Sequence, residues 1–354
     1  MQRFFSAFLL CFFLLHGVCP PAAAADGPIR IALLGDFLPA GSADEVISRY
    51  GYGHLFDGVR PILASVDAVV LNLETPLSTL GEGVEGKAYT FRASPGVAEA
   101  MGKEGVRVAV IANNHIMDFG PQALADTIAN LEAADIDHAG ADFNVGDAYA
   151  PALFRVVGRM AAVQAYSNTF PENYWAKKGR PGTAFGSPKA VARGVAAARK
   201  AADGPVLVSF HWGSELMTEP KEYQADLAHL AVEKGASLVV GHHPHVPQPI
   251  EVYHGVPILY SLGNFSFGSY SKNSRVGLLA VAEFDMDGRC SKLEVYPLDT
   301  DNTEVLFSPR PITGYEGKDI FDPLVNGIDP ETAEVTWDGE KGIIKLSPQV
   351  KNQQ

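Results

Sequence analysis

Three histidines fall within four positions in the stretch Ser237-Leu-Val-Val-Gly-His-His-Pro-His-Val246. Imidazole is the commonest protein ligand for borderline divalent metals, so a cluster of His242, His243 and His245 is a candidate for that chemistry. Leu238 to Gly241 reads as a short buried strand, and Pro244 and Pro247 deny helix to the residues after it. The imidazoles therefore sit on a stiff loop at the C-terminal end of a strand, which is where open α/β sheets place their ligands. Residues two apart share a side of an extended segment, so His243 and His245 are expected to face one or two ions and His242 to point away.

Four further apolar runs end in the same way. Ile31 to Leu34 leads to Gly35-Asp36, and Ala68 to Leu71 leads to Asn72-Leu73-Glu74. Val106 to Ile111 leads to Ala112-Asn113-Asn114-His115, and Pro205 to Phe210 leads to His211-Trp212-Gly213-Ser214-Glu215. Runs so largely apolar, broken only by Arg107 and Ser209, fit parallel strands buried on both faces. Taken singly, each ending has a plainer reading: Asp36 as a cap, Glu74 as a turn carboxylate before Thr75-Pro76, His211 as a core histidine, Asn113 as a turn former. Five in succession, expected along one edge of a parallel sheet, make a site. Strand ends are rigid, and metal ligands must be held to fractions of an ångström.

Asp36, Glu74, Asn114-His115, His211 and His243/His245 are thus the groups able to bind metal or phosphate. Their mix of carboxylate, amide and imidazole suits one or two ions of Mn, Fe or Zn and is too rich in nitrogen for Ca²⁺ or Mg²⁺. Asn72, Trp212, Glu215, His242 and Asn264 are expected to line the pocket or support the ligands, Glu215 by orienting His211. His54, His138, His229 and His254 have no strand-end context and are read as surface residues.

Between these endings the pattern predicts an interrupted helix over 45–65 and regular helices over 122–133, 188–202 and 223–233. Hairpins are expected across Gly158-Arg159, His254-Gly255 and Asp287-Gly288. The loop 168–186 carries Trp175, Lys177, Lys178 and Arg180; it is a lid, a substrate-facing insertion or a solvated surface loop. After residue 299 the periodicity fades to a helical turn near Asp319 to Phe321, cut by Pro323, and a hairpin across Asp338-Gly339. The expected organisation is one domain over 26–299 with a β-rich extension, 300–354, completing it or packing on it.

The 354 residues are 47% hydrophobic and 19% charged with net charge −13, an ordinary globular balance without basic clusters. That excludes nucleic acid as a partner and a basic membrane-surface patch. Arg3, an apolar run from Phe4 to Leu15 and Ala22 to Ala25 read as a secretory signal over 1–25, cleavage being favoured over an anchor. Its removal moves the charge to −14 and takes Cys11 and Cys19 with it, leaving Cys290 with no internal disulfide partner.

The stretches GDFLPAG (35–41), LNLETPL (71–77), ANNHIMDFG (112–120), FHWGSE (210–215), GHHPHVPQPIEVYHG (241–255) and YSLGNFSFG (260–268) resemble, in order and spacing, the calcineurin-like metallophosphoesterases. The likeness is stronger to their capsule-synthesis branch, the CapA-type poly-γ-glutamate capsule proteins. It implies a four-layer α/β/β/α sandwich, a cell-envelope or periplasmic location and a role in making or exporting an anionic polymer. A phosphoester or polymer substrate and membrane-bound synthesis or export partners are implied by the same likeness. By matched position Asp36 resembles the first carboxylate ligand, Glu74 stands for a bridging aspartate, Asn114 is the amide ligand and His115 beside it the general acid. His211, His243 and His245 match the remaining imidazoles. Leu38 occupies the place of a second histidine ligand in the wider superfamily, which favours a non-catalytic, polymer-binding alternative. A nucleotidase is a third reading, with Tyr174, Trp175 and Trp212 as its candidate base-stacking residues.

Overall fold

Alternate residues of the apolar runs point into two different cores. The computed structural model describes residues 27–348, and the signal expected over 1–25 lies outside them. In strand Ile29–Leu38, Ile31 and Leu33 face one core while Ala32 and Leu34 face another. Ala68–Leu73 and Val106–Val110 divide in the same way. This two-residue alternation builds layers.

The larger sheet runs in the order 333–337, 342–346, 290–299, 276–284, 29–38, 68–73, 106–110, 137–139. Its half from 29–38 to 137–139 is parallel, and the other half is antiparallel. Asn264–Phe267 adds a parallel partner at the end of 29–38. The smaller sheet runs 250–253, 256–259, 238–242, 206–211, 159–167, 152–156, parallel in its middle four strands. The two sheets share an inner core of Val70, Val108, Val163, Leu207 and Val240. Outside the larger sheet, Val97, Met101, Leu124 and Leu131 come from helices Gly96–Lys103 and Gly120–Ala133. Outside the smaller, Val191, Val195, Leu227 and Ala231 come from helices Pro188–Ala201 and Glu222–Glu233. The fold is thus a four-layer α/β/β/α sandwich, with each buried Leu or Val contributing about 1.5–3 kcal/mol.

Three expectations are corrected. The ligand-bearing strand ends lie on two sheets, not on one edge of one sheet: 29–38, 68–73 and 106–110 belong to the larger, 206–211 and 238–242 to the smaller. Strand Ile29–Leu38 does not turn at Gly35-Asp36 but continues through irregularities in register on both sides of Asp36. Helix Gly314–Val325 runs through Pro323. A proline in the last turn removes only a late hydrogen bond, and buried Phe321 and Val325 anchor the helix on the inner core. The Asp338-Gly339 hairpin forms as strands Ala333–Trp337 and Gly342–Leu346 and extends the larger sheet.

Candidate metal centre

Asp36 reaches the site from a strand that needs glycine before it. A Cβ on Gly35 would lie 2.2 Å from the Gly263 carbonyl oxygen, so only glycine lets the chain pass close enough for Asp36 N–H to bond that oxygen at 2.9 Å. Gly241 plays the same part before the histidines, where a Cβ would meet Tyr260 O at 1.9 Å.

The Asp36 carboxylate is fully buried. Its Oδ1 accepts from His242 Nδ1 at 3.0 Å and Asn72 Nδ2 at 2.9 Å; its Oδ2 accepts from the His243 backbone N–H at 3.1 Å and lies 3.1 Å from His245 Nδ1. Burial alone would raise its pKa, but the hydrogen bonds from His242 and His245 prevail and hold it well below the usual carboxylate range. Glu74 is equally buried and shifts the other way, raised by burial and by the charge of Asp36. Its Oε2 accepts from Asn72 Nδ2 at 3.2 Å. Its Oε1 makes no hydrogen bond, lying 3.4 Å from His211 Nε2 and 3.9 Å from His245 Nε2.

His211 Nε2 donates to Asn114 Oδ1 at 2.8 Å, which ties the smaller sheet to the larger across the pocket. Burial, then the neighbouring His243, keeps His211 neutral. His243 is held down at about 3, by burial first and by His245 second. His245 moves up to about 9: burial opposes its charge, but Glu74 and Asp36 outweigh that. Its Nδ1 also donates to Asn264 Oδ1 at 2.9 Å.

The structure therefore brings Asp36, Glu74, Asn114, His211, His243 and His245 into one cluster. Two overlapping triads have donor atoms within 4.8 Å of one another, Glu74–His243–His245 and Asp36–Glu74–His211. Glu74 belongs to both. His243 and His245 have φ of 95° and 59°, a left-handed conformation that costs a non-glycine residue about 1–3 kcal/mol. These turns correct the extended reading: His242 does not point away but bonds Asp36.

The donor set fits a divalent cation. Glu74 Oε1 and His243 Nδ1 are buried polar atoms with no hydrogen-bond partner. Such atoms are costly unless something accepts their electron pairs, and a cation would satisfy both while neutralising the strained pair Asp36 and Glu74.

Other supporting residues fall differently from expectation. Glu215 is exposed and does not orient His211, whose ring contacts Asn114, Asn72 and Glu74 instead. Trp212 is a core residue, stacked 4.4 Å from Phe210 and bonded to Tyr260 O. Tyr174 is buried too, so neither of them offers a face to a nucleobase. Leu38 is buried in the core beneath the outer helices. His229 is no plain surface residue, since its Nε2 meets Glu251 at 2.9 Å.

His115 stands beside the cluster with Nδ1 donating to Asp118 Oδ2 at 2.7 Å and its ring 4.9 Å from Phe91. Burial, with Lys87 adding to it, lowers its pKa against the pull of Asp118. Near neutral pH the ring is uncharged, and Nε2 is the nitrogen left to exchange a proton with the pocket. Lys87 bonds Asn114 O and Asp118, with its Nζ 3.3 Å from His115 Nδ1. Sequence reasoning missed both partners. The three-residue spacing from His115 was a signal for Asp118; Lys87, in a glycine-rich loop, gave none. Asn113 forms the turn as expected, accepting from the backbone N–H of His115 and Ile116.

The profile of the family described as "Bacterial capsule synthesis protein PGA_cap" matches residues 30–269, a span that encloses every ligand above. The chain belongs to this capsule synthesis family. It is 30% identical over 277 residues to the PGA biosynthesis protein CapA of Bacillus subtilis (strain 168), covering 78% of this chain and 72% of that one. To the capsule biosynthesis protein CapA of Bacillus anthracis it is 30% identical over 305 residues, covering 84% and 73%. Among solved structures, a 5'-nucleotidase precursor from Thermus thermophilus superposes on 79% of this chain and 57% of its own, with TM-score 0.47 and 15% identity. A likeness that loose says nothing about activity.

Proposed function

We propose that this member of the capsule synthesis family is an exported, metal-dependent, phosphoesterase-like hydrolase. Its role would be the synthesis or export of poly-γ-glutamate or a related anionic envelope polymer, alongside membrane-bound proteins of that process. One observation carries the reading: Glu74 Oε1 and His243 Nδ1, both buried and unbonded, sit in two donor triads that share Glu74. Export rests on the leader-like composition of residues 1–25.

A bound Mn, Fe or Zn ion would supply Lewis acidity toward a phosphoryl or carbonyl oxygen. Asp36, Glu74, Asn114, His211, His243 and His245 would hold it. Asn72 and His242 keep Asp36 fixed, and Asn264 does the same for His245. His115, pinned at Nδ1 by Asp118, moves a proton at Nε2. Phe91 and Phe267 pack on His115 and His245 and shield those rings from water.

Leu38, in the core where a further ligand would stand, favours a second reading in which the same site binds polymer without turnover. Elemental analysis of the untreated protein together with hydrolysis of a generic phosphodiester separates the two. Bound transition metal with turnover that His115→Ala abolishes, metal content being kept, supports hydrolysis. Metal without turnover on any ester supports the binding role, and protein purified without metal defeats both.

A further inference from the structure

The loop 168–186 is built into the rim of the metal centre. At one end the Asn168 N–H donates to the carbonyl of His211 at 2.8 Å; further on, the Tyr174 hydroxyl donates to Asp118 Oδ1 at 3.4 Å. Residues 169–173 therefore span the gap between a candidate ligand and the partner of His115. Phe170, in that span, is 73% exposed, with its ring 6.4 Å from that of Trp175.

Beyond Tyr174 the chain makes a tight hairpin. Lys177 and Arg180 exchange backbone hydrogen bonds of 3.1 and 2.9 Å, and Trp175 stacks 4.1 Å from Phe185. The Arg180 guanidinium is used internally, on Trp175 O at 2.9 Å and Glu172 O at 3.3 Å. Lys177 and Lys178 are exposed, and neither ammonium has a partner among the described residues. They begin three residues from Tyr174, at most about 11 Å of extended chain. In a protein of net charge −13, this segment carries three cations against one carboxylate, Glu172.

We propose that Phe170 and the Lys177-Lys178 turn form a track that binds a linear polycarboxylate where it enters or leaves the metal centre. The inference rests on the polymer reading above and names the surface that would carry it. The two ammoniums pair with carboxylates along the chain, while Phe170 takes the aliphatic spacers between them. Polyphosphate offers the same negative charge but no spacers, so Phe170 distinguishes the two polymers. Charge of the opposite sign elsewhere on the protein is screened beyond about 8 Å at physiological salt, which leaves the local cations to govern the contact.

The test is equilibrium binding of fluorescent poly-γ-glutamate and of inorganic polyphosphate to the metal-loaded protein, to Lys177→Glu/Lys178→Glu and to Phe170→Ser. Charge reversal is expected to weaken poly-γ-glutamate binding about tenfold at low salt, with the difference closing by about 0.5 M salt. Phe170→Ser should weaken poly-γ-glutamate and leave polyphosphate unchanged, and both variants should keep the wild-type melting temperature and metal content. Equal binding by the charge-reversed protein, or wild-type protein that takes polyphosphate alone, overturns the track. Ester hydrolysis is not read in this assay, so its absence elsewhere would defeat the catalytic reading without touching this one.

Discussion

Lys87 sets its ammonium on the carboxylate of Asp118, the same group that fixes His115. That carboxylate is fully buried and also accepts from the Phe91 backbone N–H at 2.9 Å and from the Tyr174 hydroxyl. It joins three segments distant in sequence: the glycine-rich loop, the Asn113-to-Asp118 turn and the rim loop.

Lys87→Met leaves the Asp118 charge buried without its cation. Removing one member of such a pair costs about 3 kcal/mol, because the desolvated charge stays behind. The urea midpoint should fall accordingly, and Lys87→Arg should restore part of it. An unchanged midpoint in Lys87→Met would mean that the ion pair is not formed in solution.

Glu74→Gln should act in opposite directions with and without metal. Glu74 lies against Asp36 and belongs to both donor triads. In chelator-treated protein, losing one of two facing buried carboxylates relieves repulsion and should raise the melting temperature. In metal-loaded protein the same change removes a shared anionic ligand, so metal content should fall to near zero and the stabilisation by added Mn²⁺ or Zn²⁺ should vanish. Melting curves of both proteins, with and without chelator, read the crossing directly. Parallel shifts would rule out Glu74 as a shared ligand.

The layers were legible because the central strands are dominated by apolar residues, unbroken in Ile31 to Leu34 and Ala68 to Leu71, as burial on both faces requires. Asp36, Glu74, Asn114 and His211 were singled out by the same logic, since a polar residue at the end of such a strand stands out. The division into two sheets was hidden: a run such as Val206 to Phe210 records that it is buried, not which sheet it joins. His242 was misplaced because two left-handed residues, His243 and His245, break the alternation that the assignment assumed. Lys87 left no trace because its meaning comes from Asp118, thirty-one positions on, and from Tyr174 on another loop.

Cys290 is a buried free thiol whose pKa is pushed up to about 12, chiefly by burial. Essentially no thiolate exists at pH 8, and the thiolate is the nucleophile. Reaction of the native protein with a disulfide reagent should be much slower than that of the urea-unfolded chain, with a rate that follows local opening. Prompt reaction of the folded protein would show that the β-strand Cys290–Asp299 frays at its start.

The metal-free protein should lose stability as pH rises from neutral to 9. His245 titrates at about 9 in the folded site against 6.5 in the open chain, so its contribution is fully present below pH 6.5 and is lost as pH passes through 9. Glu74 acts in the same direction: burial and the charge of Asp36 raise its pKa, so the folded state loses stability as pH climbs above the ordinary carboxylate range. His243 and His211, both depressed, matter only on the acid side, where an unfolded chain takes up protons that they refuse. A bound cation should reverse the alkaline trend. His245 must shed its proton to ligate, so metal affinity should climb over the same interval, with proton release on binding. Urea midpoints at pH 6.5, 7.5 and 9, with and without metal, should diverge, and His245→Gln should flatten the metal-free slope. A metal-free midpoint that rises toward pH 9 would mean that Asp36 and Glu74 do not hold the charge of His245.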